Sequence, residues 1–274
     1  MNSMLLSIGK VTVRINGLSD RLYNDAGMRY SHFIKKQAET ENITVNLKLL
    51  RKFISSRPLE PEISSDNGFL SLKRYDFDGT YDKKGCSLEI SMFENVYSLD
   101  AVLRIIYSYF MVLNKGFLIH SAGIVMDDEA YVFCGQTLHG KSHIVKTTRG
   151  GTLLSDEITL IRKIDGKYYV FGTPFWGEFA IGGVNRGFPL EQLFFLHTGE
   201  KNAVKEISSI RVVQKLLSTI LLFINDKKIN DIIFDTITEI VNSVSCYKVV
   251  YNQKDDIWRE IKYDSNAKQI KPGQ

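Results

Sequence analysis

The feature that most constrains the fold of this chain is a glycine-rich segment near its middle. The segment reads Gly135-Gln136-Thr137-Leu138-His139-Gly140-Lys141-Ser142. It matches the pattern G-x-x-x-x-G-K-[ST], in which backbone N–H groups form a nest for phosphate oxygens, the lysine reaches the β- and γ-phosphates, and the hydroxyl joins a Mg²⁺ shell. Residues 130–134 have the composition of a buried strand, and residues 142–148 predict a helix whose N-terminal end faces the phosphates. The segment therefore predicts a strand–loop–helix unit that binds a nucleotide with Mg²⁺; the alternative is a glycine-rich surface turn.

Composition limits the class of protein. The chain has 274 residues, of which 44% are hydrophobic and 24% charged, as in globular proteins with an ample core. Its formal net charge of +4 is too small to indicate a nucleic-acid partner. Three widely spaced cysteines indicate neither a disulfide framework nor a zinc site. Residues 1–10 lack a signal-peptide pattern, and no uninterrupted apolar run reaches the roughly 18 residues of a membrane span. We therefore expect a cytoplasmic protein without a membrane partner.

The last part of the chain is locally basic. Its cationic residues are Lys248, Lys254, Arg259, Lys262, Lys268 and Lys271. They form either a solvated face or a surface that attracts an acidic partner.

The first part of the chain, up to Ser98, is predicted to be rich in β-strands. Alternating or continuous apolar residues predict strands at 9–15, 43–47, 69–72 and 87–92. Turns are predicted at Asp78-Gly79 and Lys84-Gly85, and a short helix at 30–36. Nothing in this region indicates catalysis.

The second part mixes helices and strands. Apolar residues at three- and four-residue steps predict a helix that Ser98 caps and Gly116 closes. Turns are predicted at Asp127-Asp128 and Asp165-Gly166. Further strands are predicted at 117–120, 123–126, 152–154, 158–162, 168–171, 192–196, 247–251 and 257–261, and helices near 210–223 and 231–244.

This pattern predicts an α/β (mixed α+β) fold. Its central mixed sheet carries the strand–loop–helix unit, and a smaller β-rich region precedes it. We place the domain boundary near Ser98, which gives a β-rich N-terminal region over residues 1–98 and a nucleotide-binding catalytic domain over residues 99–274.

An acidic pair, Asp156 and Glu157, follows the phosphate loop closely. It comes 15 residues after Lys141, at the end of the next predicted strand. Ordinary phosphate-loop ATPases usually place their metal-binding aspartate much later in the chain. Residues 230–235 imitate such a later aspartate motif, but their apolar periodicity continues to Val241 and predicts a helix.

These ordered segments resemble the HPr kinase family and, more distantly, phosphoenolpyruvate carboxykinases. His120 precedes the loop at the spacing of that family's catalytic histidine, and residues 135–142 match its phosphate loop. Residues 150–157 follow its glycine–strand–acidic-pair pattern. Residues 172–177 and 247–258 are similar to segments of its smaller members, among them bacterial kinases that phosphorylate the C-terminal serine of lasso-peptide precursors. The resemblance spans roughly residues 116–258.

The resemblance implies a role for each residue of the candidate site. Lys141 would stabilise charge on the transferred phosphoryl group, and Ser142 with Asp156 would hold Mg²⁺. Glu157 would be the base that takes the proton from a serine hydroxyl. His120 would tune that carboxylate or contact the γ-phosphate; its alternative is a half-buried histidine with a structural role.

The chain also departs from the family pattern. Leu138 stands where the family has glycine, and Glu157 stands where it has a second aspartate. The E-x-R-G signature of the larger HPr kinases is missing, with Glu178 a substitute for its glutamate. This absence argues against HPr itself as the substrate. His139 receives no catalytic role, and residues 173–176 serve either packing or the wall of a substrate site.

The leading hypothesis is an ATP- and Mg²⁺-dependent kinase that acts on a serine hydroxyl of a peptide or protein. A second keeps the site and makes the acceptor a free amino acid or another small metabolite. A third is a nucleotide-binding module without catalysis, which the Leu138 and Glu157 departures favour. A generic ATPase would require Asp235 at the end of a strand. The sequence leaves homo-oligomer formation open.

Overall fold

A computed structural model describes residues 1–54, 56–135, 140–177, 183–252 and 257–261. The fold is mixed α/β, as predicted, and its strands form two mixed sheets. The first sheet has the strand order β3-β1-β2-β4-β8-β7-β6-β5. Its strands are β1 (Asn2–Ile8), β2 (Val11–Leu18), β3 (Ile34–Lys35), β4 (Ile43–Leu50), β5 (Glu62–Asp66), β6 (Phe69–Arg74), β7 (Phe77–Asp82) and β8 (Ser87–Phe93).

Two helices pack against the first sheet. Helix α1 (Asp20–Arg29) begins after Ser19, whose side chain accepts a hydrogen bond from the N–H of Leu22. Helix α2 (Val96–Leu113) begins after Asn95, whose side chain accepts from the N–H of Tyr97. Within the described residues, α2 is the one helix long and apolar enough to cross a membrane, and 67% of it is buried inside the fold. Such burial is the packing of a core helix.

The second sheet closes on itself. Its strands are β9 (Gly116–Met126), β10 (Glu129–Cys134), β11 (Thr152–Ser155), β12 (Ile158–Ile164), β13 (Lys167–Phe171), β14 (Gly187–Thr198), β15 (Ala203–Glu206) and β16 (Ser245–Tyr251). The pairs β10–β9, β9–β12, β12–β13, β13–β14 and β14–β10 form a ring. Strands β10 and β16 are both parallel to β14. Three further helices are α3 (Lys141–Thr147), α4 (Ser209–Leu217) and α5 (Lys227–Ser243).

The two sheets share one apolar core, in which α2 lies. The hydroxyl of Tyr107 on α2 donates to the carbonyl oxygens of Leu6, at 3.0 Å, and Val11, at 3.2 Å. Arg162 on β12 donates to the carbonyl of Gly9 at 2.6 Å. Side chains from beyond Ser98 therefore hold the β1–β2 hairpin near the start of the chain.

A smaller aromatic cluster supports β10, the strand before the predicted phosphate loop. Phe133 on β10 stacks on Phe194 with ring centroids 5.1 Å apart, and Trp258 meets Phe133 edge-on at 5.6 Å. The indole N–H of Trp258 donates to the hydroxyl of Thr148 at 2.8 Å, just beyond α3. This contact ties residues 257–261, which are helical, to the end of α3. The predicted strand at 257–261 is therefore wrong.

The structure also differs from several other predictions made from the sequence. Ser98 lies inside α2 and donates to Asp76 at 2.6 Å instead of capping the helix. Asp78 and Gly79 lie within β7, where a Cβ at Gly79 would come within 2.7 Å of Ile90 on β8. The glycine is needed for close approach of two strands, not for a turn. Residues 30–36 hold a 3₁₀ turn and β3, and the helix predicted at 210–223 ends at Leu217.

Candidate functional site

The structure contains the strand and the helix of the predicted strand–loop–helix unit. Strand β10 ends at Cys134, and α3 begins at Lys141 directly after Gly140, whose φ of 94° is left-handed. Glycine adopts a left-handed backbone without the steric cost that a Cβ brings. Because β10 and its neighbour β14 are parallel, the segment after β10 lies at the carboxyl edge of these strands, where α/β sheets bind ligands. Four of the predicted loop residues lie outside the described residues: Gln136, Thr137, Leu138 and His139.

Lys141 points inward rather than into solvent. Its side chain is buried, with 7% of the residue exposed, and its ammonium group donates to the carbonyl of Gly135. Burial lowers the pKa of Lys141, and the charge of Glu157 opposes that shift. The charges of Lys141 and Glu157 therefore act on each other. Ser142 is half-buried in the first turn of the same helix.

The acidic pair lies between β11 and β12. Asp156 is buried, with 6% exposed, and its Oδ1 accepts a hydrogen bond from the backbone N–H of Gly177 at 3.2 Å. Glu157 is half-buried, and its carbonyl oxygen accepts from the N–H of Ser121 on β9 at 2.9 Å. Burial raises the pKa of Glu157; the charge of Arg104 lowers it, and Asp156 raises it further. A carboxylate whose pKa is raised accepts a proton more readily.

His120 lies on β9, where it pairs with Ile158, the residue after Glu157. Its backbone N–H donates to the carbonyl of Thr219 at 2.8 Å. Burial lowers the pKa of His120, and the positive charges of Lys141 and Arg104 lower it further. The imidazole is therefore held in its neutral form near pH 7. The structure thus brings the predicted His120, Lys141 and Glu157 to one place.

Three charged residues near the site were missed by sequence reasoning. Arg104 on α2 faces Glu157, with 4.0 Å between Nη1 and Oε1, and it forms an ion pair with Asp100 at 2.8 Å. Asp100 also pairs with Arg29 of α1 at 2.8 Å. The sequence contained a signal for two of them. Asp100 and Arg104 are opposite charges four residues apart in an otherwise apolar helix, and buried charges of this kind are paired. All three residues precede the segments that carry the family resemblance.

The segment after β13 closes the site on one side. Thr173 donates to the carbonyl of Ile158 at 2.6 Å, and Phe175 is fully buried, so both serve packing. Trp176 lies under the guanidinium of Arg29, 4.5 Å from the ring centroid. Glu178, the suggested substitute for the missing glutamate, lies outside the described residues. Of the basic residues near the end, only Lys248 and Arg259 are among those described.

The later aspartate motif is part of a helix. Residues 230–235 lie in α5, as their periodicity predicted, and Asp235 is exposed on that helix. The condition for a generic ATPase, an aspartate here at the end of a strand, is not met.

The donor set can be compared with the needs of Mg²⁺. Among the described residues, no group of three or more histidine, cysteine, aspartate and glutamate side chains could enclose a metal ion. Mg²⁺ usually takes only one or two protein carboxylates and completes its shell with substrate phosphates and water. One buried carboxylate, Asp156, with the hydroxyl of Ser142 agrees with that chemistry.

Fold and site together define a mixed α/β protein with a candidate phosphate-binding site at the carboxyl edge of parallel strands. No protein-family model matches the chain, and no curated protein matches it significantly. Among solved structures it is similar to the HPr(Ser) kinase/phosphatase from Coxiella burnetii, with 13% sequence identity and a TM-score of 0.23. That match covers 56% of this chain and 98% of the other. A TM-score this low carries no weight for the chemistry of the site.

Proposed function

We propose that this protein is an ATP- and Mg²⁺-dependent phosphotransferase whose acceptor is a serine hydroxyl of a peptide or protein. The observation that carries the proposal is the convergence of Lys141, His120 and Glu157, which come from three separate elements. Lys141 donates to the carbonyl of Gly135, which follows Cys134 at the end of β10. Cys134 pairs with Ser121, the residue after His120, and the N–H of Ser121 donates to the carbonyl of Glu157 at 2.9 Å. A cation beside a carboxylate of raised pKa is the pair of charges that phosphoryl transfer to a hydroxyl requires.

Each residue then has a task that its surroundings support. Lys141, Gly140 and Ser142 would hold the nucleotide phosphates, and Ser142 with Asp156 would hold Mg²⁺. When bound, ATP with Mg²⁺ supplies the phosphoryl group. An Oε atom of Glu157 would take the hydroxyl proton as the serine oxygen bonds to the γ-phosphorus and the bond from that phosphorus to ADP breaks. Neutral His120 lies beside Glu157 and adds no further positive charge to the site.

A cavity beside Arg104 supports an acceptor larger than a free amino acid. Its volume is about 290 Å³. Its lining residues are Glu60, Pro61, Arg74, Tyr97, Asp100, Ala101, Arg104, Ile105 and Phe223. Arg104 both lines the cavity and faces Glu157, so the cavity would take the residues that flank a reacting serine. An extended tail fits such a cavity more readily than a folded protein does.

The test is mass spectrometry of candidate acceptors incubated with the protein, ATP and Mg²⁺. The acceptors are serine-containing peptides with free C-terminal tails, free serine and HPr. We expect one added phosphate on a peptide serine. Phosphate on free serine alone would assign the protein to small-molecule kinases. Nucleotide binding without transfer to any acceptor would identify a binding module and contradict the proposal.

A further inference from the structure

The charged residues of α1 and α2 form one connected cluster. Both carboxylate oxygens of buried Asp100 are used: Oδ1 accepts from Arg29 at 2.8 Å and from the Tyr30 hydroxyl at 3.2 Å, and Oδ2 accepts from Arg104 at 2.8 Å. A buried carboxylate is costly unless it is paired and hydrogen-bonded. Asp100 is therefore an anchor whose position fixes both guanidinium groups.

Arg104 is held by Asp100 and by the ring of Phe175. Its Nε is engaged by Asp100, and its guanidinium carbon lies 5.4 Å from the centroid of the Phe175 ring. This leaves Nη1 directed towards Glu157 Oε1, at 4.0 Å. That distance is too long for a hydrogen bond but within the range of an ion pair. Arg104 therefore holds the carboxylate by charge without occupying its oxygen atoms.

The second cation of the cluster acts on the other side of the acidic pair. Arg29 lies 4.5 Å from the Trp176 ring, and Trp176 precedes Gly177. Gly177 donates its N–H to Asp156 and packs against Glu157, where an added Cβ would be 2.8 Å from Oε2. Both arginines thus contact the segment that borders the acidic pair.

We propose that Arg104 is a positioning residue for Glu157, and that Asp100 and Arg29 hold Arg104 in place. The inference rests on the proposed function, in which Glu157 is the base. A base must be held close to its reactive position, because a displacement of about 1 Å can cost on the order of 10²-fold in rate. The first part of the chain would therefore complete the site. A lysine at position 104 would keep the charge but could not pair with Asp100 and face Glu157 through separate nitrogen atoms.

The test compares Arg104→Leu and Arg104→Lys with the wild type, with Arg57→Leu as the control. Arg57 forms an ion pair with Asp78 of the first sheet, away from Glu157. Arg57→Leu therefore removes a similar ion pair at a distance from the site. We expect Arg104→Leu to lower kcat on the order of 10²-fold with the KM for ATP within about twofold, and Arg104→Lys to recover part of the loss. The nucleotide KM is spared because its contacts lie on α3 and the phosphate loop. Arg57→Leu should leave kcat unchanged.

Two results would overturn the proposal. One is an unchanged kcat in Arg104→Lys, which decides the matter if Arg104→Leu does not fold. The other is a loss of kcat in Arg57→Leu that matches its loss in thermal stability, which would indicate general destabilisation. If the wild type transfers phosphate to no acceptor, the proposed function fails, and a crystal structure of Arg104→Lys tests the positioning alone. A displaced Glu157 carboxylate supports it, and an unmoved one contradicts it.

Discussion

Gly177 lies directly against the side chain of Glu157. A Cβ at position 177 would be 2.8 Å from Glu157 Oε2 and 3.0 Å from its Cβ, so the Glu157 side chain would have to shift to make room for it. The same glycine donates its N–H to Asp156 at 3.2 Å. One residue without a side chain therefore contacts both members of the acidic pair and limits where each can move.

The first prediction concerns this contact. Gly177→Ala should displace the Glu157 carboxylate and lower kcat between about 10- and 100-fold, with little change in nucleotide affinity. Gly27→Ala is the matched control, because Gly27 lies in α1 with open space around its Cβ position. The control should keep full activity and gain roughly 0.5–1 kcal/mol in the free energy of unfolding. Steady-state kinetics with denaturant unfolding measures both. Full activity in Gly177→Ala would show that the contact does not position Glu157.

The second prediction concerns the phosphate loop. Lys141→Ala should lose at least about tenfold in ATP affinity, because the lysine contacts the phosphates. The melting temperature should stay close to that of the wild type, because the hydration that the ammonium group loses on burial offsets the contacts it makes. Lys167→Ala, at the exposed hairpin turn on the far end of β12, is the control and should bind ATP normally. Isothermal titration calorimetry with ATP and Mg²⁺ measures the difference. Equal affinity in Lys141→Ala and wild type would refute the phosphate-loop hypothesis.

The third prediction separates the two acidic residues. Glu157→Gln should retain nucleotide binding and lower the transfer rate by roughly 10²–10⁴, the usual contribution of a positioned base. Asp156→Asn should instead raise the Mg²⁺ concentration needed for half-maximal activity, because it removes a charged ligand. Rate measurements across a Mg²⁺ titration distinguish them. The assignment fails if both variants show the same mild effect.

The fourth prediction uses the lowered pKa of His120. Its pKa in the folded state lies below the unfolded value of about 6.5, so the unfolded chain binds more protons as the pH falls through that value. His120 therefore destabilises the fold below about pH 6.5 and has no such effect above it. His120→Gln should lose less thermal stability than the wild type between pH 7.5 and about pH 5. Exposed His32 supplies the control, His32→Gln. A constant difference in melting temperature across this range would contradict the prediction.

Local sequence chemistry accounts for several elements. The Asp127-Asp128 and Asp165-Gly166 turns were predicted from residue type, and both contain left-handed backbone angles that aspartate and glycine tolerate. Strand β10 and helix α3 were predicted from the pattern that borders the phosphate loop. Each of these features depends on residues close together in the chain, so a single sequence contains the information.

Other elements depend on distant partners. Strand β3 is two residues long and exists through its pairing with β1, and residues 257–261 are helical where they pack against the end of α3 through Trp258. Neither segment is long enough for its periodicity to distinguish helix from strand. Tertiary contacts therefore decide its conformation, because they outweigh the weak local preference.

By itself, the sequence determined the mixed α/β class, the strand and helix that flank the phosphate loop, and the candidate residues His120, Lys141, Asp156 and Glu157. Their types and order along the chain were sufficient for that. Only the tertiary structure decided that Arg104, paired with Asp100, faces Glu157, and that Gly177 lies against Glu157. The reason is physical: burial and charge pairing across separate elements depend on distances in space, which residue spacing along the chain does not encode.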